Sequence, residues 1–158
     1  MRRSRDASPA LHDLLLGIYR RRGWEWQEVD DPPALVSELT GPLGTSVLLV
    51  QIVEESRLLV FYAILPVTVP EDRRPAAAEY VARVNPGLSI GSLELDFDDG
   101  EVRTRIALVV GETPPDDVLV ERLIRVAGRL VELFQPGLET VIAGTAPAAA
   151  AAAAAEVV

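Results

Sequence analysis

Apolar positions in this chain change period several times, and each change marks a new element. Leu11, Leu14, Leu15, Ile18 and Tyr19 recur three and four apart, which puts them on one stripe of an amphipathic helix over residues 8–22. Ser8 stands at its N-cap, Pro9 suits the first helical position, and Gly23 ends it. Trp24 and Trp26 then alternate with Glu25 and Gln27, the period of a short strand. Asp30-Asp31-Pro32-Pro33 is a turn, and residues 35–40 form another short extended piece closed by Gly41-Pro42.

Residues 46–54 and 57–65 are two strong strands, rich in Val, Leu, Ile, Phe and Tyr, with Glu55-Ser56 between them. A turn there makes facing residue numbers sum to 111. Leu48, Val50 and Ile52 then share a face with Ala63, Phe61 and Leu59, while Val47, Leu49 and Val53 share the other with Ile64, Tyr62 and Leu58. Both faces are apolar, so this hairpin is predicted to be central and covered twice, by helices on one side and by a partner surface on the other.

A second helix follows, with Asp72 as its cap, Tyr80, Val81 and Val84 on its apolar side, and Asn85-Pro86-Gly87 as its stop. Residues 88–97 and 101–110 read as a hairpin around Asp99-Gly100, a two-residue turn signal. That register sums to 199, placing Glu94 opposite Arg105, Asp96 opposite Arg103, Phe97 opposite Val102 and Leu93 opposite Ile106. Asp116 caps a third helix whose stripe is Leu119, Leu123, Val126, Ala127, Leu130 and Phe134, interrupted at Gln135-Pro136-Gly137. From Ala146 the composition turns to Pro147 and a run of alanines. Alanine favours helix but the run has no face to dock by, so residues 146–158 are expected to be a mobile tail outside a single domain of residues 1–145. The order of elements predicts an α+β fold with a mainly antiparallel sheet and three helices.

Composition narrows the chemistry. The 158 residues include no cysteine, one histidine (His12) and no lysine, since all 15 basic residues are arginine. Thiolate chemistry, a disulfide scaffold, Cys-ligated zinc, a His-only metal site, a Schiff base and a phosphate-loop lysine are thereby excluded. The net charge is −9, yet residues 1–22 carry six arginines against two aspartates. An acidic body disfavours nucleic acid and anionic membrane as partners. Outside the alanine tail no run approaches a membrane span, and the short apolar run after Arg2-Arg3 closes on three arginines, so the expectation is a cytoplasmic protein without a signal peptide.

The remaining candidates are weak. Asp96, Asp98, Asp99 and Glu101 surround a turn without the spacing of a calcium-binding loop. Asp30-Asp31 and Asp116-Asp117 are sequence neighbours beside prolines, which suits turns and caps better than carboxylates facing across a cleft. His12 and Asp13 are adjacent helix positions that do not face each other, and no serine has a nucleophile-elbow context. Gly41-Pro42-Leu43-Gly44-Thr45 lacks the spacing and the lysine of a phosphate loop.

One ordered set of motifs is more specific. It comprises Val69-Pro70-Glu71-Asp72-Arg73-Arg74, Ala78-Glu79-Tyr80, Arg83-Val84-Asn85, Gly91-Ser92-Leu93-Glu94-Leu95 and Asp99-Gly100-Glu101-Val102-Arg103. Together with residues 57–66 and Pro136-Gly137-Leu138, this set resembles the YbjN family, labelled as bacterial sensory transduction regulators, whose fold is similar to type III secretion chaperones. Thr104, where an aromatic is usual, and Pro75 inside the second helix depart from the family pattern. The resemblance implies three helices on a five- or six-stranded antiparallel sheet. It further implies a non-enzymatic binding or regulatory role, often as a dimer, with no catalytic residues and no cofactor. Chaperones of that shape hold extended clients on apolar grooves and by backbone pairing.

The expectation is therefore a homodimeric, chaperone-like regulatory domain that binds a protein or peptide. Its candidate partner-binding residues are Trp24, Trp26 and one face of the central hairpin: Leu48, Val50, Ile52, Leu59 and Phe61. The alternative is a small-molecule or metal-sensing domain.

Overall fold

A computed structural model describes residues 10–155. The elements run α1 (Leu11–Arg22), β1 (Gln27–Asp30), β2 (Pro33–Gly41), β3 (Gly44–Val53), β4 (Leu58–Thr68), α2 (Arg74–Val84), β5 (Ser92–Leu95), β6 (Glu101–Val109), α3 (Asp117–Ala143) and α4 (Ala148–Ala154). The six strands form one antiparallel sheet in the order β1-β2-β3-β4-β6-β5. The fold is thus α+β, with four helices among the described residues where three were expected. The Ser8 cap lies outside the described residues.

The helices cover one face of this sheet. α1 closes over β2 and β3, with the Tyr19 hydroxyl 3.5 Å from the Ser37 hydroxyl. α3 crosses the same face, where Thr104 Oγ1 donates to the Ala127 carbonyl at 3.4 Å. Between the layers lies a single core in which Phe61, Leu59 and Val50 meet Leu15, Ile18, Val120, Ala127 and Phe134. α2 joins this core through Tyr80, whose hydroxyl donates to the Phe134 carbonyl at 2.9 Å. Gly137 lets Tyr80 in, because a Cβ there would overlap the phenol oxygen.

The β3–β4 hairpin has the predicted register, with Leu48 opposite Ala63, Val50 opposite Phe61 and Ile52 opposite Leu59. The face chosen for partners is corrected, however. Leu48, Val50, Ile52, Leu59 and Phe61 are only 0–4% exposed and form the floor of the core beneath the helices. The other face of the same hairpin is open. Val47, Leu49, Tyr62 and Ile64 stand on it, and Val47 is 42% exposed. Val60 on this face is buried by its neighbours but does not belong to the core.

Three further expectations are revised. The β5–β6 register sums to 197: Glu94 faces Arg103 and Leu95 faces Val102. A shift of two keeps every side chain on its predicted face, but it lengthens the loop and leaves Phe97 exposed on it. The loop is shaped by its own aspartates, since Asp96 Oδ1 accepts from the Asp98 N–H and Asp99 Oδ1 from the Glu101 N–H, both at 2.8 Å. Next, α3 runs unbroken through Pro136, because Leu130, Phe134, Leu138 and Val141 keep one apolar stripe in the core on both sides of it. Last, the alanine segment forms α4, with Ala148 and Ala151 buried against the core. Residues 148–154 are therefore a docked helix, contrary to the expected mobile tail. Methyl groups are face enough where the neighbouring helices can approach closely.

Two consequences can be measured. Gly100 sits at φ +82°, its carbonyl accepts the Val69 N–H at 2.9 Å, and a Cβ there would overlap the Val69 carbonyl. Gly100→Ala is expected to cost more than about 2 kcal/mol in chemical denaturation, whereas Gly23→Ala, at φ +66° with open space, should cost about 1 kcal/mol. Burial pushes the Tyr80 phenol up to about 12. Its folded value exceeds the ordinary value near 10, so its contribution is complete below pH 10 and lost as pH rises towards 12. Tyr80→Phe should cost about 1 kcal/mol at neutral pH and flatten that alkaline loss in pH-dependent melts.

Candidate functional site

Gly23 ends α1 in a left-handed conformation, and the Trp24 N–H donates to the Tyr19 carbonyl at 3.1 Å. This reversal stands both tryptophans against Tyr19, edge to face, with ring centroids 5.2 Å away for Trp24 and 6.0 Å for Trp26. Both are half-buried, and they precede β1 where a strand containing them was expected. Burial raises the Tyr19 phenol above its ordinary value, and its bond to Ser37 partly offsets this.

The tryptophans form one end of a groove of about 1150 Å³ between the end of α1, the outer edge of β2 and α3. Leu39 and Ile124 continue its apolar lining, while Glu25, Glu38, Glu121 and Arg125 supply charge. A second depression of about 490 Å³ shares Leu39 and Arg125 with the first and leads to the β2–β3 turn at Leu43. At its inner end lies Gln135, a buried side chain. Its amide N–H donates to Glu139 at 2.8 Å, but its oxygen accepts no hydrogen bond among the described residues.

The edge of β2 is the second component. β1 pairs with β2 only from Pro33 to Val36, whereas β2 pairs with β3 as far as Gly41. Along residues 37–41 no strand among the described residues lies on the outer side of β2. Such an edge is a template for another strand, and here it runs beside the apolar groove. Ion pairs fix the helical wall opposite. Arg21 donates to Asp117 at 2.8 and 3.0 Å and Arg22 meets Glu121 at 2.8 Å, joining the last turn of α1 to the first turns of α3. This bonding holds the Asp117 carboxyl below the usual carboxylate range and raises Arg21.

The groove therefore contains Trp24 and Trp26 and, of the five hairpin residues proposed with them, only Leu48, which is buried. Sequence reasoning missed Tyr19, Leu39 and Ile124, which carry no motif and become neighbours only when α1 and α3 lie across β2. The weak chemical candidates occupy structural positions. His12 Nε2 is 3.1 Å from Glu28 on the surface, and Asp116 caps α3 by accepting from the Leu119 N–H at 2.7 Å. The carbonyls of Phe97 and Asp98 in the acidic loop accept from Arg74. Among the described residues no cluster of three or more His, Asp or Glu is placed to hold a metal ion, and no helix is long and apolar enough to cross a membrane.

Comparison with known proteins agrees with this architecture. No curated protein matches the chain. Among solved structures it is similar to that described as "YbjN, a putative transcription regulator from E. coli", with a TM-score of 0.57 and 14% identity. The match covers 88% of this chain and 93% of that one, and at such low identity it speaks to the fold alone. A model of the YbjN family, described as "Putative bacterial sensory transduction regulator", matches residues 11–140. With most of its length accounted for by that match, this chain belongs to the YbjN family.

Proposed function

We propose that this protein is a non-enzymatic regulatory domain that takes up an extended segment of another protein along the outer edge of β2. The observation that carries this reading is the juxtaposition of an unpaired strand edge, residues 37–41, with a groove lined by Trp24, Trp26, Tyr19, Leu39 and Ile124. Backbone groups of the edge supply hydrogen bonds to any extended peptide. The groove supplies pockets for alternate side chains and hence selectivity. Holding a client in extended form is how a chaperone-like regulator would act, and it requires no reactive side chain.

The groove is open along its length, which suits a polypeptide better than a small metabolite enclosed on most sides. Apolar side chains at alternate positions of the client would rest on the indole rings. Tryptophan is among the side chains that dominate binding energy at interfaces.

Because Trp24 and Trp26 are the chain's two tryptophans, their fluorescence reports directly on the groove. Peptides selected by phage display against the whole protein are expected to alternate apolar and polar residues and to shift that emission. The Trp24→Ala, Trp26→Ala double variant should weaken their binding by about 30-fold, or about 2 kcal/mol. Binding unaffected by the double variant, or a selection that returns no peptide, would refute the reading.

A further inference from the structure

The depression beside the β2–β3 turn meets the peptide groove only at Leu39 and Arg125, and it holds two buried polar side chains with groups left unpaired. Ser46 lies on its sheet side. It faces Leu39 across β2 and β3, shares the helix-facing side of β3 with Leu48 and Val50, and is only 6% exposed. Its hydroxyl enters no hydrogen bond among the described residues. Gln135 lies opposite, on α3, and is also 6% exposed. Its amide nitrogen donates to Glu139, while its oxygen has no partner among the described residues.

Buried polar atoms are nearly always hydrogen-bonded, because losing water without gaining a partner is costly. Two unpaired groups lining one depression therefore point to a partner from outside the chain. A single water takes up about 30 Å³, whereas this depression offers about 490 Å³, within the range of small-molecule sites. The Gln135 oxygen is shielded from bulk water. The terminal torsion of glutamine is soft, so a small turn of the amide presents that oxygen to a donor inside the depression. Gly128 sets the height of α3 above β2 here, since a Cβ on it would stand 2.7 Å from Leu39 Cδ2.

The rest of the lining defines the chemistry of that partner. Leu39, Leu43, Val126 and Val131 make most of the walls apolar. Arg125 and Arg129, one turn apart on α3, are largely exposed at the rim, where Glu132 is the one acid. Arg125 donates to Glu121 and Arg129 to Glu132. A guanidinium has five N–H groups, so donors remain on both for a carboxylate.

We propose that this depression binds a small hydroxylated aromatic acid. Its hydroxyl both donates and accepts, and so serves the Gln135 oxygen and the Ser46 O–H together. Its ring rests among the leucines and valines, presenting apolar area with few torsions to freeze. Its carboxylate meets Arg125 and Arg129 at the rim.

The probe is para-hydroxyphenylpropanoate, titrated into the isotope-labelled full chain and followed by backbone amide chemical shifts. It should saturate in the millimolar range or below and move amides of residues 39–46 and 125–135. Phenylpropanoate, which lacks the hydroxyl, should bind about tenfold more weakly. The neutral para-hydroxyphenylpropanamide should bind about threefold more weakly. Gln135→Met keeps the shape and removes the acceptor. It should cut the preference for the hydroxyl to about twofold while phenylpropanoate binds as before. Ser46→Ala removes a single oxygen and should reduce the same preference by a smaller factor, which keeps the test open should the glutamine variant unfold. The Arg125→Gln, Arg129→Gln double variant should erase the preference for the acid over the amide. Absence of shifts at millimolar concentration, or shifts centred elsewhere, would overturn the proposal. A preference for the hydroxyl that survives both Gln135→Met and Ser46→Ala would overturn it equally.

Discussion

The central constraint on this molecule is that the β3–β4 hairpin is apolar on both faces while the chain lays its helices on one. A strand pair of this composition is stable in water only if each face is covered or kept small. α1 and α3 satisfy the first face, seating Phe61 and Val50 in a core with Phe134, Leu15 and Ile18. Val47, Leu49, Tyr62 and Ile64 remain on the second. Their partial exposure is tolerable because Arg103 and Arg105 flank them on β6, where Glu94 of β5 pairs with both at 3.1 and 3.6 Å. The architecture is thus a two-layer domain with one sheet face left open among the described residues.

Legibility from sequence followed the strength of the period. The central hairpin was readable to the residue, because two long apolar strands joined by a short polar turn admit few registers. The acidic hairpin was readable in its facing but not in its register. Asp96 and Asp99 bond their own backbone and so build a longer loop than Asp99-Gly100 alone suggests. The helix through Pro136 and the docked alanine helix were misjudged for a common reason. Local propensity argued for a break and for a tail, and tertiary packing overrode both.

The candidate site was half visible. Trp24 and Trp26 stood out by residue type, and their position at a groove follows from a reversal at Gly23 that the sequence announces. Which side of the hairpin the helices would choose was not visible, since period-two alternation distinguishes two faces without ranking them. The groove itself depends on where β1 stops pairing with β2 and on how α3 crosses the sheet. Neither leaves a local signal, because both are set by contacts between residues about 80 to 100 positions apart, such as Arg21 with Asp117.

The bond from the Val69 N–H to the Gly100 carbonyl, with Arg74 reaching the Phe97 and Asp98 carbonyls, has a mechanical consequence. It staples the entrance of α2 to the tip of the β5–β6 loop. The opposite end of that hairpin is held to the same helix, since Asn85 exchanges two hydrogen bonds with the Leu93 backbone. Helix and hairpin are therefore clamped at two points, which fixes both the entrance and the exit of α2 against β5 and its loop.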